Sequence, residues 1–416
     1  MAISLVLVPL TIHYINPTQY GIWITLSSIV GWFGFFDIGF GNGLRNKFAE
    51  ALAKGEHVLA RTYVSTTYAI LSIIVVIILI IFLCINPLLN WTGILNAPVN
   101  LANELSILAL IVFVFFCFQF VLQLITTVLT ASQQPAKASL LNLIGSLLSL
   151  VVIFILTKTT SGSLIYLGIS LGLMPVLVLI VSSIWFYTHK YKIYAPALRF
   201  VKFGCARDLM SLGLKFFIIQ IVFVISYQTS NIIIAQLFGS YQVTSYNIAF
   251  KYFGIIPMMM GIVMMPFWSA ITEAWIKSDI NWIQNAIKKI ITLWMLFMIL
   301  ALIMVFCSKN IYKLWIGHEI EIPFIVSASL AAYVIINTWC GIFSLFLNGV
   351  GKLRLQLFIG LGGSVVNIPL AIYLGKQIGV SGVVLSTCIL SLFGAILLPI
   401  QYSKILNKTS KGIWDK

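Results

Sequence analysis

Apolar runs of bilayer-spanning length recur along almost the whole chain, and no soluble fold can absorb so many of them. They lie at about 2–15, 18–38, 64–86, 103–131, 139–157, 163–188, 214–238, 243–270, 288–308, 323–347, 355–375 and 379–403, divided by short polar punctuation. A helix rises about 1.5 Å per residue, so roughly 20 residues are needed to cross the hydrocarbon core. Charged residues make up 8% of the 416 and hydrophobic residues 61%, too little polarity to wrap a soluble domain of this size. The expected fold class is all-α: a polytopic membrane protein of twelve transmembrane helices. The first run is too short to cross and lacks the positive n-region of a cleavable signal. The expectation is a first helix that begins upstream of Met1.

The basic residues set the orientation. Twenty of the 25 Lys and Arg fall in the connections and tail on one side, four on the other (Lys158, Lys309, Lys313 and Lys376), and one, Lys251, lies inside a run. That bias follows every alternation of the twelve runs, which by the positive-inside tendency puts both termini in the cytoplasm. Scattered in short loops, the +15 net charge reads as topology signal and anionic-lipid contact, not as a nucleic-acid surface. The expected organisation is a six-helix bundle over 1–188, a cytoplasmic linker over 189–213, a second six-helix bundle over 214–403 and a cytoplasmic tail over 404–416.

The two halves echo each other. "PTQYGIW" (17–23) resembles "VTSYNIA" (243–249), and "LTASQQPAKASLLNLIGS" (129–146) aligns with "LNGVGKLRLQLFIGLGGS" (347–364). After the second and eighth runs come apolar stripes, Leu44, Phe48 and Leu52 in one half and Ile276, Ile280, Ile283 and Ile287 in the other. Each predicts a short amphipathic helix lying on the membrane. Two six-helix repeats in the same orientation are pseudo-symmetric about an axis along the membrane normal, which predicts a central cavity between them and alternating access.

Polar residues where lipid should be are the candidates for function. Lys251 sits about eight residues into the eighth run, roughly 12 Å deep. A mid-membrane cation costs about 2.5 kcal/mol or more, so Lys251 either faces a wet cavity or snorkels outward along its stem. The seventh run carries "SYQTSN" (226–231), in which Gln220, Tyr227 and Asn231 share a helical face; interhelical hydrogen bonding and a wet face are both open to them. Where the second run leaves the bilayer stand Asp37 and the alternating glycines Gly39, Gly41 and Gly43. Asp37 could simply be hydrated or cap the next helix; glycines also let the chain reverse, which predicts a polar latch or inner gate bringing Arg45 back towards Asp37.

Catalysis finds no motif. The histidines are isolated, without HExxH spacing, and no GxSxG or phosphate-cradling loop occurs. The six cysteines have no CxxC pair and read as packing thiols. No cofactor or metal is expected, and no enzyme activity.

Three passages carry a family resemblance: "QYGIWITLSSIVGWFGFFDIGFGNGLRNKFAEALAKGE" (19–56), "NIIIAQLFGSYQVTSYNIAFKYF" (231–253) and "LNGVGKLRLQ" (347–356). They resemble the bacterial polysaccharide flippases, the O-antigen and capsule repeat-unit translocases of the multidrug/oligosaccharidyl-lipid/polysaccharide exporter superfamily. The resemblance implies two six-helix bundles around a cationic cavity in the bacterial inner membrane. It implies an undecaprenyl-diphosphate-linked glycan as cargo, an H+ or Na+ gradient as energy source, and contacts with membrane lipids and other polysaccharide assembly proteins. The cations available for the pyrophosphate are Lys251, Lys215 and Arg45; the groups available for sugar are Gln220, Tyr227, Gln228, Asn231, Tyr246, Asn247 and Tyr252. Asn231 departs from the pattern, since relatives often place an acid there. A drug or cation antiporter of the same superfamily, a lipid II-type flippase and a membrane glycan polymerase are the alternatives. The first would favour intramembrane acids, in which this chain is poor, and the last a large outer loop, which it lacks.

Overall fold

A computed structural model describes residues 2–37, 39–210, 229–317 and 320–415. All regular structure in them is helical, and the chain divides into two compact units, Met1–Val224 and Ile225–Lys416. Unit 1 holds α1 (Ala2–Tyr14), α2 (Pro17–Trp32), a 3-10 turn (Phe33–Asp37), α3 (Phe40–Ala53), α4 (His57–Ile85), α5 (Trp91–Leu95), α6 (Ala102–Leu122), α7 (Leu124–Ala131), α8 (Pro135–Thr159) and α9 (Leu164–Thr188). In unit 2 come α10 (Thr229–Phe238), α11 (Ser240–Phe253), α12 (Ile255–Ile276), α13 (Ile280–Ile316), α14 (Phe324–Val350), α15 (Arg354–Ile378) and α16 (Val380–Leu406). Among the described residues, nine helical stretches are long and apolar enough to cross a membrane. They correspond to nine of the twelve expected runs; α1, α2 and the described part of the seventh run are shorter.

Three runs expected as single helices are instead jointed. The run at 18–38 ends as α-helix at Trp32 and continues as a 3-10 turn. The run at 243–270 breaks after Phe253: Pro257 has no N–H to offer the Phe253 carbonyl, and Gly254 absorbs the turn. The run at 103–131 breaks at Gln123, where no proline or glycine stands. There Thr126 supplies both its N–H (2.9 Å) and its hydroxyl (2.7 Å) to the Gln123 carbonyl, a tightened turn of the kind that bends helices.

Both expected surface helices are corrected. Leu44 and Phe48 of α3 are fully buried, Phe48 with its ring edge-on to Tyr194 at 5.2 Å, so the stripe faces the protein and not lipid. α3 packs on α4 and α7, and burying each such side chain stabilises the unit by about 1.5–3 kcal/mol. Its other face is polar: Lys54 and Lys47 both hydrogen-bond Glu50 and pull that carboxyl down to about 2. The isoleucine stripe of the other half is not a separate helix; Ile280 begins the 37-residue α13, and Ile283 and Ile287 are buried within it.

The expected linker is strapped to unit 1. Arg61 donates to the Ala195 carbonyl (2.9 Å), the Ala197 N–H to Ser65 (3.1 Å) and the Lys202 N–H to Thr66 (3.0 Å), while His57 and the Tyr194 hydroxyl lie 2.7 Å apart. Leu209 closes the strap, fully buried beside Gly43.

Candidate functional site

Each of the three glycines after Asp37 has its own reason. Gly39 sits at φ +80°, the left-handed region that L side chains rarely adopt, and starts α3. Gly41 donates its N–H to Asp37 Oδ1 at 2.9 Å, so the carboxylate caps the first turn of α3. Gly43 lies so close to Leu209 that a Cβ would stand 2.1 Å from its carbonyl oxygen. Asp37 therefore holds the backbone of α3 through Gly41, and the ion pairs among the described residues do not include Asp37 with Arg45.

Asp37 and Arg45 do meet in one place. Both line a polar cavity of about 250 Å³ in unit 1, together with Gly41, Asn42, Leu71, Phe120, Gln123, Leu124, Thr126, Thr127 and Thr130. Arg45 is exposed at it, and the joint between α6 and α7 forms its other wall. Sequence reasoning missed Asn42, Gln123 and the three threonines. Their signal was present: in "QLITTVLT" (123–130), Gln123, Thr126, Thr127 and Thr130 fall at i, i+3, i+4 and i+7, one polar face of a helix.

In unit 2 the candidates separate. Asn247 on α11 donates its amide to Asn231 on α10 at 2.8 Å and to the Val243 carbonyl at 2.9 Å, with both asparagines buried. Tyr246 lines a small cavity of about 20 Å³ with Ser230, Phe250, Leu330, Tyr333, Val384 and Thr387, room for roughly one water. Tyr252 is taken up by packing: its hydroxyl donates to the Met304 carbonyl at 3.2 Å and its ring meets Tyr312 edge-on at 5.3 Å. That places it in the core of unit 2. Lys251, half-buried, lies in the last turn of α11. Because α11 begins at Ser240, Lys251 is deeper than expected, about 16 Å along the helix. Lys215, Gln220, Tyr227 and Gln228 lie outside the described residues.

The Asn231–Asn247 pair makes a testable joint between α10 and α11. Asn231→Leu or Asn247→Leu alone is expected to cost about 1–2 kcal/mol, because each leaves a buried amide one partner short. The double Leu variant is expected to cost less than the sum. Thermal unfolding of the purified variants checks this, and strict additivity would show that the pair does not couple.

Comparison with known proteins sets these units in a family. Residues 1–272 match the family described as "Polysaccharide biosynthesis protein". A Salmonella typhi protein described as an O-antigen transporter is 22% identical over 388 residues, covering 92% of this chain and 87% of its own length. A Yersinia pseudotuberculosis protein described as an O-antigen export protein is 23% identical, covering 80% of this chain and 76% of its own. Among solved structures, an inward-facing multidrug resistance MATE family transporter of the MOP superfamily aligns with TM-score 0.79 at 15% identity, over 98% of this chain and 96% of its own. A MOP superfamily transporter from Pyrococcus furiosus aligns with TM-score 0.63 at 16% identity, over 99% and 96%. With the family match spanning residues 1–272 and the fold likeness nearly the full length, this chain belongs to the polysaccharide biosynthesis protein family, as a multi-pass membrane protein with the fold of the MOP superfamily transporters.

Proposed function

We propose that the protein is a flippase. It carries an undecaprenyl-diphosphate-linked oligosaccharide repeat unit from the cytoplasmic to the outer leaflet of the bacterial inner membrane, for O-antigen or capsule assembly. The observation that carries this reading is the likeness, over 92% and 80% of this chain, to proteins described as an O-antigen transporter and an O-antigen export protein. The chemistry of the chain agrees with it. An anionic pyrophosphate needs fixed cations out of bulk water, and Lys251 stands deep in a crossing helix. The sugars need hydroxyl and amide partners, which the polar cavity of unit 1 and the asparagines of unit 2 supply.

Translocation proceeds by alternating access of the two repeats, and the sequence carries no nucleotide-binding motif, so an H+ or Na+ gradient is the energy source. Both termini and the strapped linker lie on the cytoplasmic side, where the basic residues collect. A drug antiporter on this fold would favour a carboxylate for its cationic cargo; at Asn231 this chain has a neutral amide held by Asn247.

A deletion strain tests the reading. Lipid-linked repeat units are expected to accumulate on the cytoplasmic leaflet and surface polymer to disappear, both restored by the gene in trans. Normal distribution of the repeat units between leaflets would overturn it.

A further inference from the structure

The cavity of unit 1 has a hydrogen-bonding character that decides what it can hold. Asp37 accepts from the backbone N–H groups of Gly41 and Gly39, which leaves about two of the roughly four lone-pair sites of a carboxylate. Thr126 donates its hydroxyl proton to the Gln123 carbonyl and Thr130 donates its own to the Thr126 carbonyl, each at 2.7 Å. With their protons committed to the helix, both hydroxyls turn lone pairs outward. The lining therefore offers acceptors at Asp37, Thr126 and Thr130, donors at Arg45, and both kinds at the amides of Asn42 and Gln123. One acid and one base cancel. Leu71, Phe120 and Leu124 add apolar surface.

An anion fits this set poorly. A pyrophosphate brings only acceptors and charge, and would meet Arg45 with Asp37 beside it and threonine lone pairs opposite. A neutral pyranose fits well, because each ring hydroxyl both donates and accepts while the C–H faces are apolar. The size agrees: about 250 Å³ is just below the ~300–1,000 Å³ of sites for drug-sized ligands, which suits one ring and not a chain of several. The site is also held in place. The Asp37 carboxylate is tied to the first turn of α3 by the Gly41 N–H at 2.9 Å.

Resting on the flippase reading, we propose that this cavity is a subsite for one neutral pyranose unit of the glycan cargo, with Asp37, Thr126 and Thr130 accepting its hydroxyls and Arg45 donating to it. The pyrophosphate is then held elsewhere.

Saturation-transfer NMR on the purified full-length protein tests this with four probes: the methyl pyranosides of glucose, galactose, mannose and N-acetylglucosamine. At least one is expected to receive saturation that equimolar inorganic pyrophosphate does not displace. Its affinity should fall about tenfold or more in Asp37→Asn, the scale of losing a hydrogen bond to a charged group. Thr130→Val, which keeps the shape of the wall and removes one of the acceptors, is the second variant should Asp37→Asn fail to fold, and is expected to weaken the same probe. No transfer to any of the four, displacement by pyrophosphate, or equal transfer in wild type and variants overturns the proposal. The flippase reading fails separately: a deletion strain without accumulated repeat units would sink it whatever the pyranosides do, and accumulation without pyranoside binding would sink only the subsite.

Discussion

Lys251→Met is expected to abolish delivery of polysaccharide to the cell surface while leaving a folded, inserted protein. Lys251→Arg is expected to keep much of it. The argument is one of charge at depth. Lys251 stands about 16 Å along α11, where a cation is costly against lipid, and methionine of similar length removes that cost. The structure adds a competing role: the break at Gly254 leaves a helix end here, and a cation in the last turn of α11 opposes its dipole. That role is worth about 0.3–1 kcal/mol and concerns stability alone. The two roles part in the Met variant. A cation serving the cargo predicts lost polymer with normal protein level and thermal stability. One serving the helix end predicts a slightly less stable protein with normal polymer, and that result would end the case for Lys251 as a substrate contact. Surface polymer measured in a deletion strain, beside immunoblot and melting curves, separates them.

Gly43→Ala is expected to lower the yield of folded protein severely, against the usual rule for a helical glycine. Alanine in a helix interior gains about 1 kcal/mol over glycine. At Gly43 the added methyl would stand 2.1 Å from the backbone oxygen of Leu209, and backbone cannot rotate away as a side chain can. Overpacking of this kind costs about 1–3 kcal/mol, occasionally more, so the clash outweighs the gain in propensity. Gly362→Ala in α15, where a Cβ meets nothing within 4 Å, is the control and is expected to be neutral or stabilising. Fluorescence-detected size exclusion of the two variants decides it. A Gly43→Ala protein as abundant and monodisperse as the control would show that the linker does not press on α3.

The crossings were legible because the hydrophobic effect writes them as long runs, and nine of those runs recur as spanning helices among the described residues. Their joints were only partly legible. Gly254 and Pro257 mark one in the sequence, but at Gln123 the cause is Thr126 hydrogen-bonding back along its own helix, which no breaker residue announces. The stripe of Leu44 and Phe48 was legible as amphipathic but not as buried, because an apolar face cannot say whether lipid or Tyr194 covers it. The glycine triplet was legible as a special place. What Gly43 does there depends on Leu209, more than 160 residues away in the chain. For the candidate site, Asp37 and Arg45 came from their types, whereas the threonine face of α7 was passed over because hydroxyls in a membrane helix usually serve the helix itself. Those of Thr126 and Thr130 do so, and it is their leftover lone pairs that line the cavity.

The hydrogen bond that the Asn247 amide donates to Asn231 bears on energetics as well as packing. A carboxylate at this junction would take up or release a proton as the medium changed, and the contact between the two helices would loosen or tighten with it. An amide has no such proton to trade. The junction of α10 and α11 keeps the same charge and the same bond across the whole range of pH a cell meets, so it is deaf to a proton gradient. Neither asparagine can serve as a protonation site.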